Sequence, residues 1–201
     1  MFQSDVAHGP AAIASSEQLL SRLDLSSKAR DLLAGTESLD AYLESLVVAE
    51  LYVDALGLLS YGLPIRRAVW WACLATWHGL GGKPLASDQV LQSAVVWVIA
   101  PTPATQSEAA RLATMDQLET AAGFCAFAAS KAGVIPRRGE PFTAQDATGA
   151  AGLVRSAVIT AFAKGAEAGR EITYRQMIDI AWDIAEGKAL WYPWPREETA
   201  A

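Results

Sequence analysis

Apolar positions along this chain recur three and four residues apart, and no stretch alternates apolar and polar residues between hairpin-type turns. The pattern predicts an all-α protein. Ser16 precedes a short helix to about Leu23, and Ser26 or Ser27 caps a second that ends near Ala34-Gly35, where glycine accepts a positive φ. Ser38 opens a longer helix that Tyr61-Gly62 stops. In it Leu39, Tyr42, Leu43, Leu46, Val47, Val53 and Leu56 keep helical spacing, and Leu51 and Leu58 fill the rest of the circumference. A helix apolar nearly all round belongs at the centre of a bundle. Pro64, which needs no N–H in a first turn, starts the next helix, through about Trp77, and the short connection makes the pair antiparallel.

Gly79-Leu80-Gly81-Gly82-Lys83-Pro84 reads as a loop, after which Ser87-Asp88 caps a helix to Ile99 that stops before Pro101 and Pro103. Thr105 or Ser107 starts the following helix. Its second half, Ala121 to Ala129, is small on most sides and lets a neighbouring backbone approach, with a break near Gly123. Gly133 to Pro141 is the one extended linker, Thr143 caps a helix to about Ala168, and the capping box Thr173-Tyr174-Arg175-Gln176 starts the last, ending near Gly187. The reading is one helical domain, 1–201, a bundle of about 7–8 helices built from antiparallel hairpins. Within it 1–36 holds short N-terminal helices, 37–132 the main core, 133–142 the linker, 143–187 a C-terminal helix pair and 188–201 an aromatic, proline-containing tail.

Composition narrows the function classes. A chain of 201 residues with 52% hydrophobic and 19% charged residues has enough apolar surface to fold as a globule. A net charge of −6 and a pI near 4.9 speak against a phosphate-binding surface, so no nucleic-acid partner is expected. The start, Met1-Phe2-Gln3-Ser4-Asp5, has no basic leader pattern, and prolines interrupt the longest charge-free run, Gln89 to Ser107. The expectation is a cytoplasmic protein without membrane contact, in which the isolated Cys73 and Cys125 are buried free thiols.

Little in the chain suggests catalysis. Metalloprotease, dinucleotide-binding, zinc-ribbon and nucleophile-elbow signatures are missing, and His8 and His78 are too few for a histidine triad or a multi-histidine metal site. Gly82-Lys83 is no phosphate loop, because Trp77 and Pro84 stand where that loop needs Gly and Ser or Thr. Asp179, Asp183 and Glu186 share one helix face with Arg175 and read as a solvated acidic stripe rather than a metal or acid/base site. No catalytic residue, metal or cofactor is therefore expected.

The most informative segment is Leu63 to Trp77. On a helix Arg66, Trp70, Cys73 and Trp77 form one stripe and Arg67, Trp71, Leu74 and His78 the adjacent one, so each arginine sits a turn below an indole. An antiparallel hairpin centred near Ser60 would bring Asp54, with Glu50 a turn away, level with Arg66 as a structural salt bridge. Two readings follow. Either the tryptophans fill the core, or part of the Arg and Trp surface, with His78, stays exposed as a partner-binding patch of hot-spot composition. The tail carries Trp191, Tyr192 and Trp194 between prolines and either folds back on the bundle or anchors another chain.

These residues carry a resemblance. Leu63-Pro64-Ile65-Arg66-Arg67-Ala68-Val69-Trp70-Trp71-Ala72-Cys73 resembles the segment Leu-Pro-x-Arg/Lys-x-Ala-Val-Trp-Trp-Ala-Cys of an uncharacterised bacterial family. Trp97-Val98 before Pro101, Ala121-Ala122-Gly123-Phe124-Cys125-Ala126 and an Ala-rich later helix fit as well, so the likeness covers roughly 40–185, with a shorter, more charged linker. Some members are encoded beside parts of the type VI secretion machinery, the contractile injection apparatus of Gram-negative bacteria. The resemblance implies an adaptor, accessory or effector-loading role and brings no catalytic residues. Expected first is a non-catalytic interaction protein with a protein partner, a secretion component or effector. A small-molecule-binding domain or enzyme, its pocket lined by Trp70, Trp71, Trp77 and Arg66 with Glu50 or Asp54 at the polar end, is the alternative. A third possibility is a self-associating structural subunit, a homo-oligomer joined through the 121–129 face or the tail.

Overall fold

The computed structural model describes residues 19–82, 88–132 and 147–186. Among these residues the chain is all helix, without a strand. The helices are α1 (Ser27–Leu33), α2 (Leu39–Val48), α3 (Tyr52–Gly62), α4 (Ile65–Gly79), α5 (Gln89–Ile99), α6 (Pro103–Asp116), α7 (Ala121–Lys131), α8 (Ala147–Glu167) and α9 (Tyr174–Ala185). Several caps are those the sequence marks. The side chains of Ser26, Ser38, Asp88 and Thr173 each accept a backbone N–H of the first turn, and Thr173 with Gln176 closes a reciprocal capping box. One cap differs: Thr102, with Pro103 at the first helical position and Thr105 as its reciprocal partner, starts α6.

Two helices that periodicity draws as continuous are each broken. Between α2 and α3 the Glu50 N–H donates to the Val47 carbonyl (3.1 Å) and the Leu51 N–H to the Leu46 carbonyl (2.8 Å), with Glu50 at φ 58°. This pair of bonds is the Schellman ending, in which a left-handed residue lets the chain turn back on the last carbonyls. The same ending closes α4 at Gly81 (φ 78°) and α8 at Gly169 (φ 68°), where glycine advertises it. Between α6 and α7 the break lies at Gln117 and Leu118 rather than Gly123. Asp116 accepts from the Thr120 N–H and hydroxyl, Thr120 caps α7, and a side chain at Gly123 would collide with the Asp116 carboxylate.

One core runs through the whole bundle. Helix α4 packs against α3, α5, α7, α8 and α9, and α8 lies across α3, α4 and α7, so the two C-terminal helices share the core of the preceding ones. The small-residue face of α7 is used inside the chain: Ala121, Ala122, Cys125, Ala126, Ala128 and Ala129 are buried, and α7 lies tightly along α8. That overturns its expected role between copies. Where α4 meets α8, a methyl group on Gly79 would lie 2.6 Å from the Ala161 carbonyl oxygen. Among the described residues no helix is long and apolar enough to cross a membrane.

Two substitutions test this architecture by urea denaturation. Glu50→Gly removes the penalty of a left-handed side-chain-bearing residue and is expected to stabilise the protein by about 1 kcal/mol, net of the added freedom of the unfolded chain. Gly79→Ala forces α4 from α8 and is expected to cost about 1–3 kcal/mol. A destabilised Glu50→Gly would mean that the Glu50 side chain holds the turn.

Candidate functional site

The double-tryptophan helix α4 starts directly after Pro64 and buries Ile65, Ala68, Val69, Trp71, Ala72, Cys73, Ala75 and Thr76. Trp71 is fully enclosed, and its indole N–H donates to the Met177 carbonyl of α9 at 2.7 Å. It is core, which removes it from any docking surface. Trp70 and Trp77 are half-buried against the same core, and Trp77 meets the His78 ring edge-on with centroids 5.0 Å apart. His78 keeps much of its surface in water, yet the atoms around its ring desolvate it enough to lower its pKa from the ordinary imidazole value.

The arginines have structural work. Arg66 donates from Nε to the Val98 carbonyl (2.6 Å) and from a terminal nitrogen to the Ile99 carbonyl (3.1 Å), the last carbonyls of α5. Arg67 reaches the Ala185 carbonyl ending α9 (3.3 Å), and Arg170 bonds the Gly79 carbonyl ending α4. Each guanidinium thus satisfies carbonyls left over at a helix C-terminus and meets the negative end of its dipole. The expected Asp54–Arg66 salt bridge does not form. Asp54 is buried, and its two oxygens accept the Ser26 backbone N–H (2.8 Å) and hydroxyl (2.9 Å), tying α3 to the start of α1. Glu50 is exposed on the α2–α3 turn. Trp71, Asp54 and Glu50 therefore do not converge with Arg66 on one pocket. Trp191, Tyr192 and Trp194 lie outside the described residues.

Cys73 and Cys125, read separately in the sequence, are both buried free thiols and adjoin one another between α4 and α7. Burial first, and then the neighbouring Cys125, push the Cys73 thiol well above its usual pKa, so it stays protonated and unreactive. Thr76 shares a hydrogen bond with Cys125 at 3.3 Å. Among the described residues no three His, Cys, Asp or Glu side chains gather where they could hold a metal ion.

The open apolar surface lies elsewhere. Helices α2 and α9 both rest on α3 and leave a trough of about 470 Å³ between them, lined by Glu44, Val47, Val48, Arg175, Ile178, Asp179, Trp182 and Asp183. Val48, 84% exposed, is the most exposed large apolar side chain described, and Trp182 is half-buried beside it. Arg175 donates to Asp179 across one turn of α9 at 2.9 Å. The acidic stripe of the last helix therefore borders an apolar floor. Sequence reasoning missed Val48 and Trp182. Their signal was an off-phase valine at the end of α2 and a strongly two-sided α9, and the gap between the helices is a tertiary feature.

Such a bundle, with its conspicuous aromatic helix turned inward and an acid-rimmed trough outward, is an all-α domain. The chain belongs to a family of unknown function, DUF6931, whose model matches residues 42–185. No curated protein and no solved structure matches the chain.

Substitutions separate core from surface here. Trp71→Ala is expected to cost about 3–5 kcal/mol, the range for emptying a buried tryptophan site. Arg66→Ala is expected to cost about 0.5–1 kcal/mol through the loss of its contacts at the α5 terminus. Equal tolerance of both in thermal denaturation would contradict the burial of Trp71.

Proposed function

We propose that this chain is a non-catalytic helical interaction protein, an adaptor or effector-loading factor of a type VI secretion apparatus, that holds its protein partner in the trough between α2 and α9. The observation that carries the reading is Val48, which stands 84% in solvent beside the half-buried Trp182 and within a rim of charged side chains. An apolar centre with a charged rim is the anatomy of a protein interface. The secretion role is supported by the likeness of the Leu63–Cys73 segment to proteins encoded beside that machinery. Residues 63–73 then matter by building the bundle, and the docking face lies on other helices.

The test is purification of the tagged full-length protein from its native host, followed by mass spectrometry. A stoichiometric secretion component that is recovered with the wild-type chain and lost with Val48→Asp is expected. A bound metabolite in place of a protein, or a partner retained by Val48→Asp, would contradict the reading. One observation favours self-association as a second reading: the eleven residues of α5 carry no charge, and Val96 and Ile99 are exposed on it. Light scattering that gives a dimer abolished by Val96→Asp would support it.

A further inference from the structure

We infer that the occupant of the α2–α9 trough is a cationic amphipathic helix of another protein, an inference that rests on the docking role just proposed and specifies its chemistry. The floor, Val47 and Ile178 with Trp182, is apolar and continuous with the core, and Val48 extends it onto the α2 side. The walls carry the carboxylates of Glu44 from α2 and of Asp179 and Asp183 from α9, and among the described lining residues the basic side chain is Arg175, which binds Asp179. A second depression on the other side of α9 shares Asp179 and Asp183 and adds Glu171, so the negative surface continues round the helix. Val47 and Val48 also lie in the last turn of α2, where no basic side chain offsets the negative end of the dipole.

Those features select among occupants. Acidic walls repel nucleic-acid phosphates and anionic lipid surfaces. A second copy docked trough to trough would set the same carboxylates against each other across a twofold axis. A helix with apolar residues at i, i+3, i+4 and i+7 and Lys or Arg beside them fills the floor and neutralises both walls at once.

The experiment uses the full-length chain and two fluorescein-labelled synthetic helices, one with leucines at those positions and lysines elsewhere, the other with glutamates replacing the lysines. Binding is read by anisotropy at low salt. The lysine peptide is expected to bind and the glutamate peptide is not. The Asp179→Lys, Asp183→Lys double variant is expected to bind at least about ten-fold more weakly, and added salt to weaken the wild-type complex, as for charge pairs across an interface. Val48→Asp separates docking from simple charge attraction: it adds a negative charge, yet it is expected to weaken binding because it blocks the apolar floor. Circular dichroism checks that the variants fold; Val48 and Asp179 are exposed and Asp183 is half-buried.

Equal binding of the two peptides, or unchanged or tighter binding by Val48→Asp, would overturn the inference. Binding only after removal of residues 188–201 would assign the trough to the chain's own tail and overturn it too. If Val48→Asp loses the native partner while the lysine peptide fails to bind, the cationic helix is wrong and the docking role stands. If the peptide binds as expected and no secretion component copurifies, the chemistry stands and the secretion role falls.

Discussion

The bond from the Trp71 indole to the Met177 carbonyl sets the geometry on which the rest depends. Trp71 is the bulkiest kind of side chain and is wholly enclosed, so its N–H needs an acceptor inside the protein. Met177 lies one turn into α9, and meeting that N–H fixes where α9 sits on α4. Capping of α9 at Thr173 then fixes where the helix begins. With the start and the contact both set, Ile178 points to the core and Asp179, Trp182 and Asp183 line the side that faces α2. The same indole that makes α4 conspicuous in the sequence therefore builds the trough from beneath.

A bundle of short helices has many ends, and each end leaves carbonyls that need partners. Three arginines and three Schellman turns meet part of that need in this chain. Arg66, Arg67 and Arg170 each cross from one helix or loop to the end of another, so the same contacts that satisfy carbonyls also fix the helices relative to one another. Arg66 and Arg67, which the sequence places a turn from tryptophans on their own helix, thus also anchor the ends of other helices. Spacing shows which side chains are neighbours on a helix, whereas the carbonyls at the end of another helix come within reach only through tertiary packing.

Much of the fold was legible because its signals are local. Ser26, Ser38, Asp88 and the Thr173–Gln176 box mark helix starts by their own chemistry, and Gly81 and Gly169 mark ends. The turns at Glu50 and at Gln117-Leu118 were not legible, since residues with side chains take the left-handed conformation there and surrounding contacts hold it. The burial of Cys73 and Cys125 could be read from their apolar surroundings, but their adjacency depends on the packing of α4 against α7. The trough was least legible of all. Val48 falls outside the apolar stripe of its helix, and only the trough between α2 and α9 makes it part of a surface.

Hydrogen–deuterium exchange of the full-length protein, alone and with its copurified partner, tests most directly whether recognition has been separated from the double-tryptophan helix. Slowed exchange is expected at the end of α2 and along α9, around residues 44–48 and 175–183, with α4 protected to the same extent in both states. New protection confined to residues 65–79 would contradict it and return the binding face to the tryptophans.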